Sequence, residues 1–382
     1  MLLRKIIAPI RELSESGKLS GLLLLLATAV SLVISNTPWG GAYHHFWELP
    51  LGASPLEKSI EHWINDGLMV VFFFQVGLEI KREVLYGELT DLRHAMLPVM
   101  AAVGGVALPA GLYLLCASGT PSAHGWAVPT ATDIAFSLGI LSLLGDRIPF
   151  SLRIFLTALA IIDDLLAVVI IAVFYTAQLH LLYLIGAAVV FTVLVLCNRF
   201  KVKALPVYFG LGILLWLCVL QSGIHATIAG VLLAITIPTA AIEGLEAALH
   251  KPVSYLVLPV FALANTAIAL SAGSFTNLIS PLGLGIGLGL IIGKPLGIFG
   301  ATWLMVRAGI SSLPEGITWL KLFGLGCTAG IGFTMAILIA NLSFAEVAQV
   351  DLAKLAVIIG SCASTLIGMA VLRAATTVGE RQ

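Results

Sequence analysis

Long apolar runs, each near the ~20 residues that a helix needs to cross hydrocarbon, follow one another along the chain with short polar breaks. They predict an all-α polytopic membrane protein with about twelve transmembrane helices in a single membrane-embedded domain over 1–382. Span one covers Leu19 to Ser35 and span two Ile60 to Leu85. Spans three to six lie near Ala95 to Ala117, Ala123 to Leu144, Phe150 to Thr176 and Leu181 to Leu196. Spans seven to twelve lie near Pro206 to Leu220, Gly223 to Ile237, Val253 to Ala272, Leu282 to Val306, Leu320 to Leu342 and Leu352 to Leu372. Between spans one and two, residues 36–58 break the pattern with Pro38-Trp39-Gly40-Gly41, then His44 and His45 among aromatics, then Pro50 and Gly52. This segment reads as a hairpin on the membrane surface. The first apolar run has no small-residue cleavage pattern, so a retained span is expected there and not a signal peptide.

Two spans look interrupted. Span four contains Pro129-Thr130-Ala131-Thr132-Asp133, a proline followed by hydroxyl residues that offer the backbone local alternatives to a helix. Span eleven contains Gly324, Gly326, Gly330 and Gly332, which weaken a helix at its midpoint. Each is the middle member of a three-span group, over 95–176 and 282–374. The two groups begin on opposite sides of the membrane, so they are expected to be inverted three-helix repeats with discontinuous helices at spans four and eleven. Paired interruptions of this kind point to a transporter binding site near the midplane.

Composition agrees: 59% of residues are hydrophobic and 10% charged, with mean hydropathy +1.06. A soluble domain carries about 25% charged residues. The 20 Lys+Arg balance the 20 Asp+Glu, which leaves nothing to suggest a nucleic-acid partner. With the N-terminus inside, Arg4, Lys5, Arg11, Lys18, Lys81, Arg82, Arg93, Arg147, Arg153, Arg199, Lys201, Lys203, Lys251, Arg307, Lys321, Arg373 and Arg381 all fall inside. Only Lys58 and Lys354 fall outside, which predicts cytoplasmic termini. The basic stretch over 1–18 reads as a short amphipathic lead. Five cysteines, odd in number and without a C-x-x-C, read as small core residues. No cofactor is expected.

Against that background, three carboxylates and one amine stand out. Asp163 and Asp164 lie near the middle of span five, Asp133 in span four, and Lys294 deep in span ten. A charge at the bilayer centre costs at least ~3 kcal/mol, so each asks for a function and a partner. Neighbours on a helix point about 100° apart, so Asp163 and Asp164 cannot face the same point. One can line an aqueous crevice while the other turns to a neighbouring span, where Lys294 can neutralise it. A buried carboxylate can hold a proton or a small hard cation, but hardly both, and that competition is a mechanism for antiport. If Lys294 also changes protonation as its partner is released, two protons couple to one cation and transport is electrogenic. Asp133 sits beside the expected break, where it can offset facing helix N-termini while Lys294 lies near the facing C-termini, or else ligate the cation directly. Thr132 and Thr130 can supply neutral oxygens to a cation or bond their own helix.

The remaining candidates lie toward the span ends. Asp66 reads as a helix-start charge or part of an outer funnel. Glu79, Arg82 and Glu83, with Glu243, Glu246, His250 and Lys251 before span nine, form a mixed-charge patch. That patch is either a solvated salt-bridged face or a pH-responsive entrance to a cation funnel. His225, at the start of span eight, reads as a satisfied polar residue or a sensor.

Taken together, Ala131-Thr132-Asp133-Ile-Ala-Phe, Ala160-Ile-Ile-Asp163-Asp164-Leu, Gly293-Lys294-Pro295-Leu-Gly and Gly330-Ile-Gly332-Phe-Thr334-Met carry a family resemblance. With Ile64-Asn-Asp66-Gly-Leu and Val76-Gly-Leu-Glu79-Ile-Lys-Arg82-Glu83, they resemble the NhaA-type sodium/proton antiporters of bacterial inner membranes. The inverted-repeat rule counts this family among its own examples, so the resemblance is not independent of it. The resemblance implies exchange of cytoplasmic Na+, or Li+, for external H+. It implies Asp164 as the principal cation and proton site, Asp163 as the switched partner of Lys294, and Asp133 with Lys294 as charge compensators at the helix crossing. It also implies pH-response positions at Glu79, Arg82, Glu83 and Glu246, with His225 implicated, and a homodimer joined partly through the hairpin over 36–58. One departure is visible: the family's Glu-His-x-x-His is here Glu246-Ala247-Ala248-Leu249-His250, which puts the pH midpoint in question.

Two other classes compete. An intramembrane aspartyl protease would use two Asp on different spans, but the Gly-x-Gly-Asp of that class is missing and Lys294 disfavours a shared-proton dyad. A passive cation channel lined by Asp residues sits poorly with two broken spans.

Overall fold

The computed structural model describes residues 18–53, 56–87, 90, 92–176 and 179–379. The basic lead over 1–17 and Arg381 lie outside these residues. In chain order, α1 (Lys18–Ser35) and the short α2 (Gly40–Glu48) precede β1 (Pro50–Leu51) and β2 (Lys58–Ser59). Next come α3 (Ile60–Tyr86), α4 (Leu92–Ala117), a 3-10 segment (Pro121–Thr130), α5 (Ile134–Leu143), α6 (Phe150–Phe174) and α7 (Leu181–Arg199). They are followed by α8 (Leu205–Ser222), α9 (Ile228–Thr236), α10 (Thr239–Asn265), α11 (Ala272–Thr276) and α12 (Pro281–Arg307). The chain closes with α13 (Trp319–Ala329), α14 (Phe333–Ser343) and α15 (Val347–Gly379). Among the described residues, 8 helices are long and apolar enough to cross a membrane, or up to 11 if each bent pair is one span. The protein is therefore all-α and multi-pass, with fewer resolved crossings than hydropathy suggests.

Two compact units emerge. The first comprises Met1–Leu26, Glu88–Ala167 and Ile268–Gln382, and so contains both interrupted spans. The 3-10 segment meets α5 at a bend of 44°, and α13 meets α14 at 46°. Pro129 and the extended Ala131 to Asp133 make the first break; Gly330-Ile331-Gly332 makes the second. Leu97, Leu141, Leu152, Phe155, Leu156, Ile298, Leu322 and Leu325 form its apolar core. Helices α4 and α12 approach backbone to backbone, since a Cβ on Gly104 or on Gly297 would land on the other's carbonyl oxygen. Small residues are what permit this in a membrane, where lipid tails compete with any apolar side chain. Within α12 a π turn covers Gly289–Gly293 and gives way to Lys294, the residue just before Pro295, whose missing N–H cannot continue the α-helical ladder.

The second unit comprises Ala27–Gly87 and Val168–Ala267. Phe74, Leu78, Leu194, Tyr208, Leu215 and Leu233 fill its core. Two more π turns lie here, Ile64–Leu68 in α3 and Val253–Val257 in α10.

Several expectations need correction. The segment over 36–58 is more than a hairpin: it includes α2, and only the pairs Pro50↔Ser59 and Leu51↔Lys58 form a ladder. Tyr43 on α2 reaches Ser31 Oγ (3.1 Å) and the Leu263 carbonyl (3.0 Å), which holds that helix against α1 and α10. Span eight is only the 9-residue α9, because Gly223 closes α8 in the left-handed region (φ +88°) and residues 224–227 are not helical. Span nine begins and ends earlier than expected. The amphipathic 242–252 stretch continues into the apolar run as one helix, so Glu243, Glu246, His250 and Lys251 lie on α10 itself and not ahead of it. Lys354 is buried, at the start of the third turn of α15, which begins at Val347. All five cysteines are free, but only Cys327 is buried and Cys362 is exposed, as an apolar side chain on a lipid-facing surface can be.

The α4–α12 contact yields a stability prediction. Gly104→Val forces the backbones apart and is expected to cost ~1–3 kcal/mol, read as a lower melting temperature in detergent. Gly111→Ala in the same helix, where an added Cβ meets nothing within 4 Å, is expected to melt like the wild type.

Candidate functional site

The two breaks in the first unit face each other and are tied by hydrogen bonds. Asp133 precedes α5 and accepts from the Phe136 N–H through Oδ1 at 2.9 Å, as an N-cap does. Its Oδ2 accepts from the Thr334 N–H (3.1 Å) and hydroxyl (2.5 Å) at the start of α14. One carboxylate therefore serves two helix N-termini, where a negative charge is favoured. The backbone joins as well: Asp133 N–H donates to the Ile331 carbonyl at 2.7 Å. The Thr132 hydroxyl donates to the Ala329 carbonyl (2.8 Å) and the Ser137 hydroxyl to the Thr328 carbonyl (3.0 Å), both at the C-terminal end of α13. Ser361 on α15 accepts from the Phe333 N–H at 3.2 Å. Orphan backbone groups at a broken helix are costly in a membrane, and these contacts satisfy them.

Lys294 completes the arrangement from α12. Its ammonium donates to the Thr130 carbonyl at the end of the 3-10 segment and to Asp163 Oδ2 at 2.6 Å. Lysine and aspartate are both buried, at 0% and 2% exposure, so the pair is a desolvated one. Removing one partner of such a pair leaves an uncompensated charge, typically at ~3–5 kcal/mol. The second Asp163 oxygen, Oδ1, is buried with no hydrogen-bond partner. Asp164 is buried too, and it acts on Lys294 electrostatically while the hydrogen bond goes to Asp163. Thr132 lies beside Asp163. Its hydroxyl proton is committed to Ala329, which leaves the oxygen able to accept. Thr130 bonds its own segment through Ala127 at 2.8 Å. Two carboxylates, an ammonium and neutral oxygens thus meet at a helix crossing, a set suited to exchanging protons against a small cation.

The other candidates lie in the second unit and form two clusters. Asp66, in the π turn of α3, pairs with His62 (3.1 Å) and stands 4.0 Å from His225. His225 Nε2 also meets the Tyr175 carbonyl at 3.0 Å. Nearer the other end of α3, Arg82 bridges Glu246 (2.5 Å) and Glu83 (3.0 Å), and Gln75 donates to Glu79 at 2.8 Å. Glu243, His250 and Lys251 are exposed, whereas Glu246 is buried, so a wholly solvated face is not what forms.

Four polar residues escaped the sequence reading as site candidates: Thr334, Ser137, Ser361 and Gln75. Thr334 carried a signal, as the first hydroxyl after the glycine break. Gln75 carried one as well, an amide in a run of phenylalanines four residues before Glu79. The serines are indistinguishable by sequence from those that bond their own helix. Among the described residues, no group of three or more His, Cys, Asp or Glu side chains is disposed to hold a resident metal.

Comparison with known proteins agrees with the chemistry. The family model described as Na+/H+ antiporter 1 matches residues 11–372. The chain is similar to the Na(+)/H(+) antiporter NhaA 2 of Flavobacterium johnsoniae, with 50% identity over 369 residues covering 94% of this chain and 90% of that one. It is 47% identical to the Na(+)/H(+) antiporter NhaA of Caulobacter vibrioides over 375 residues, covering 95% and 90% of the two chains. With the Na(+)/H(+) antiporter NhaA of Bordetella parapertussis the identity is 46% over 376 residues, covering 94% of each.

The crossing generates a second prediction. Asp133→Ala strands the Phe136 and Thr334 N–H groups, each a loss of ~1–3 kcal/mol, and is expected to lower the melting temperature in detergent markedly. Asp133→Asn, which keeps one acceptor oxygen, is expected to fall between Asp133→Ala and the wild type. An Asp133→Ala protein that melts like the wild type would show that the carboxylate does not hold the crossing.

Proposed function

The chain belongs to the Na+/H+ antiporter 1 family, and we propose that it exchanges Na+ for H+ at Asp164 and Asp163, with Lys294 as the switched partner of Asp163. The observation that carries this reading is the buried Lys294–Asp163 pair with Asp164 beside it. In the proton-loaded state, Lys294 is an ammonium bound to Asp163, and Asp164 carries a proton. Arrival of Na+ draws both carboxylates onto the ion. Asp164 releases its proton, and Lys294, losing its counter-charge, releases another. Two protons leave as one Na+ binds, which makes the cycle electrogenic. Thr132 contributes a neutral oxygen to the ion. Asp133 and Lys294 hold the charge balance at the crossing. Li+, a smaller hard cation, is accepted at the same oxygens.

The two three-helix groups with interrupted middle members, over 95–176 and 282–374, act as inverted repeats. The basic-residue asymmetry of the loops supports cytoplasmic termini in a bacterial inner membrane, so that Na+ is expelled and H+ admitted. Glu79, Arg82, Glu83, Glu246 and His250 set the response to internal pH, and His225 contributes from the other cluster. Two copies join through the segment over 36–58.

Asp164→Asn is expected to abolish Na+-driven proton release in everted vesicles while the protein still inserts. Retained exchange would sink the assignment.

A further inference from the structure

Exchange through Lys294 depends on where α12 points the amine, and α12 is irregular just before it. The π turn over Gly289–Gly293 takes one residue more than an α turn, so the Lys294 N–H donates to the Gly289 carbonyl. Had it gone to Leu290, as in an α-helix, Lys294 would stand about 100° round the helix from its present direction. The π turn thus sets the direction in which the ammonium meets Asp163 and the Thr130 carbonyl.

The same irregularity leaves the Leu290 carbonyl without a donor inside its own helix. The N–H four residues on is that of Lys294, which goes to Gly289, and the one five residues on would belong to Pro295, which has none. The donor comes from α15: the buried Ser364 hydroxyl donates to the Leu290 oxygen across 3.4 Å. A Cβ on Gly330 would land on that same oxygen and stand 2.9 Å from Ser364 Oγ, so carbonyl, hydroxyl and the second helix break meet at one point. The Gly330 N–H cannot serve instead, since it is spent on Gly326 and Cys327. The Leu290 side chain is held there too, packed so closely on Gly332 and Gly360 that an added Cβ would stand 3.1 Å and 3.0 Å away. Without Ser364 the carbonyl is a buried orphan, which is costly in a membrane. Its nearest remedy is the Lys294 N–H, and that bond restores the α register and turns the amine off Asp163.

We propose that Ser364 is a positioning residue for the exchange: by donating to the Leu290 carbonyl, it holds the π turn that aims Lys294 at Asp163. Its effect on transport rests on the exchange reading above; its hold on the π turn rests on the contacts at Leu290.

Na+/H+ exchange in proteoliposomes tests this. Na+ has to displace Lys294 from Asp163, so Ser364→Ala, which loosens that pair, is expected to lower the apparent KM for Na+ by about threefold, the scale of one weak neutral hydrogen bond. Ser364→Thr keeps the hydroxyl and is expected to keep the wild-type KM. Pro295→Ala gives Leu290 a backbone donor in either register, from residue 295 in the π turn or from Lys294 in the α-helix. In that background, Ser364→Ala is expected to leave the KM unchanged. A packing role alone would lower the maximal rate or the yield of folded protein alike in both backgrounds. The same coupling is read without transport in the melting temperature in detergent, which Ser364→Ala is expected to lower in the wild type and not beside Pro295→Ala. An unchanged KM in Ser364→Ala overturns the proposal, as does an equal shift with and without Pro295→Ala. Failure of the exchange reading shows elsewhere, as Na+/H+ exchange that survives Asp164→Asn.

Discussion

A lysine buried against an aspartate in the middle of a membrane protein is an arrangement that the rest of the first unit is built to tolerate. Neither Lys294 nor Asp163 can reach water by extending its side chain, so each is stable as a charge only while the other is near. Lys294 spends its second hydrogen bond on the Thr130 carbonyl, the open end of a broken helix. Asp133 answers the opposite ends, capping α5 and α14 together. The breaks supply partial charges, the ionised side chains neutralise them, and close glycine contacts between α4 and α12 keep the amine's helix in place. Remove any one of these and a buried charge or backbone group is left unpaired.

That dependence explains how exchange follows from structure. A pair that is stable only together responds steeply to anything that takes one partner away. In the proposed cycle a hard cation competes for Asp163, and the amine then gives up its proton. Asp163 Oδ1 is buried and without a hydrogen-bond partner, which places an open acceptor beside the pair.

Much of the site could be read from residues alone, for a physical reason: charge in hydrocarbon is so expensive that each instance marks itself. Asp133, Asp163, Asp164 and Lys294 stood out in this way, and Pro129 and the glycines of span eleven marked the breaks between them. The 100° offset between neighbours separated Asp163 from Asp164 before any contact was known. What stayed hidden depended on register and tertiary contact. Hydropathy windows divided the helix over Thr239–Asn265 at its polar first turns, which left Glu246 ahead of span nine and not within it. Span eight looked continuous because Gly223 and the turn after it are apolar enough to pass as helix. Ser137 and Ser361 could not be told from serines that bond their own helix, since only the fold decides which carbonyl or N–H lies opposite. Gln75 was overlooked because a neutral amide costs far less to bury than a charge.

The central claim, that the Lys294–Asp163 pair opens and closes with loss and gain of a proton on the amine, is tested most directly by the effect of voltage on transport. Na+/H+ exchange is measured in proteoliposomes across a range of pH, with and without an imposed membrane potential. If two protons move per Na+, the rate and the final Na+ gradient shift with the potential, and this dependence weakens when Lys294 is replaced by a residue that carries no proton. Exchange that is indifferent to the potential in the unaltered protein would contradict the claim.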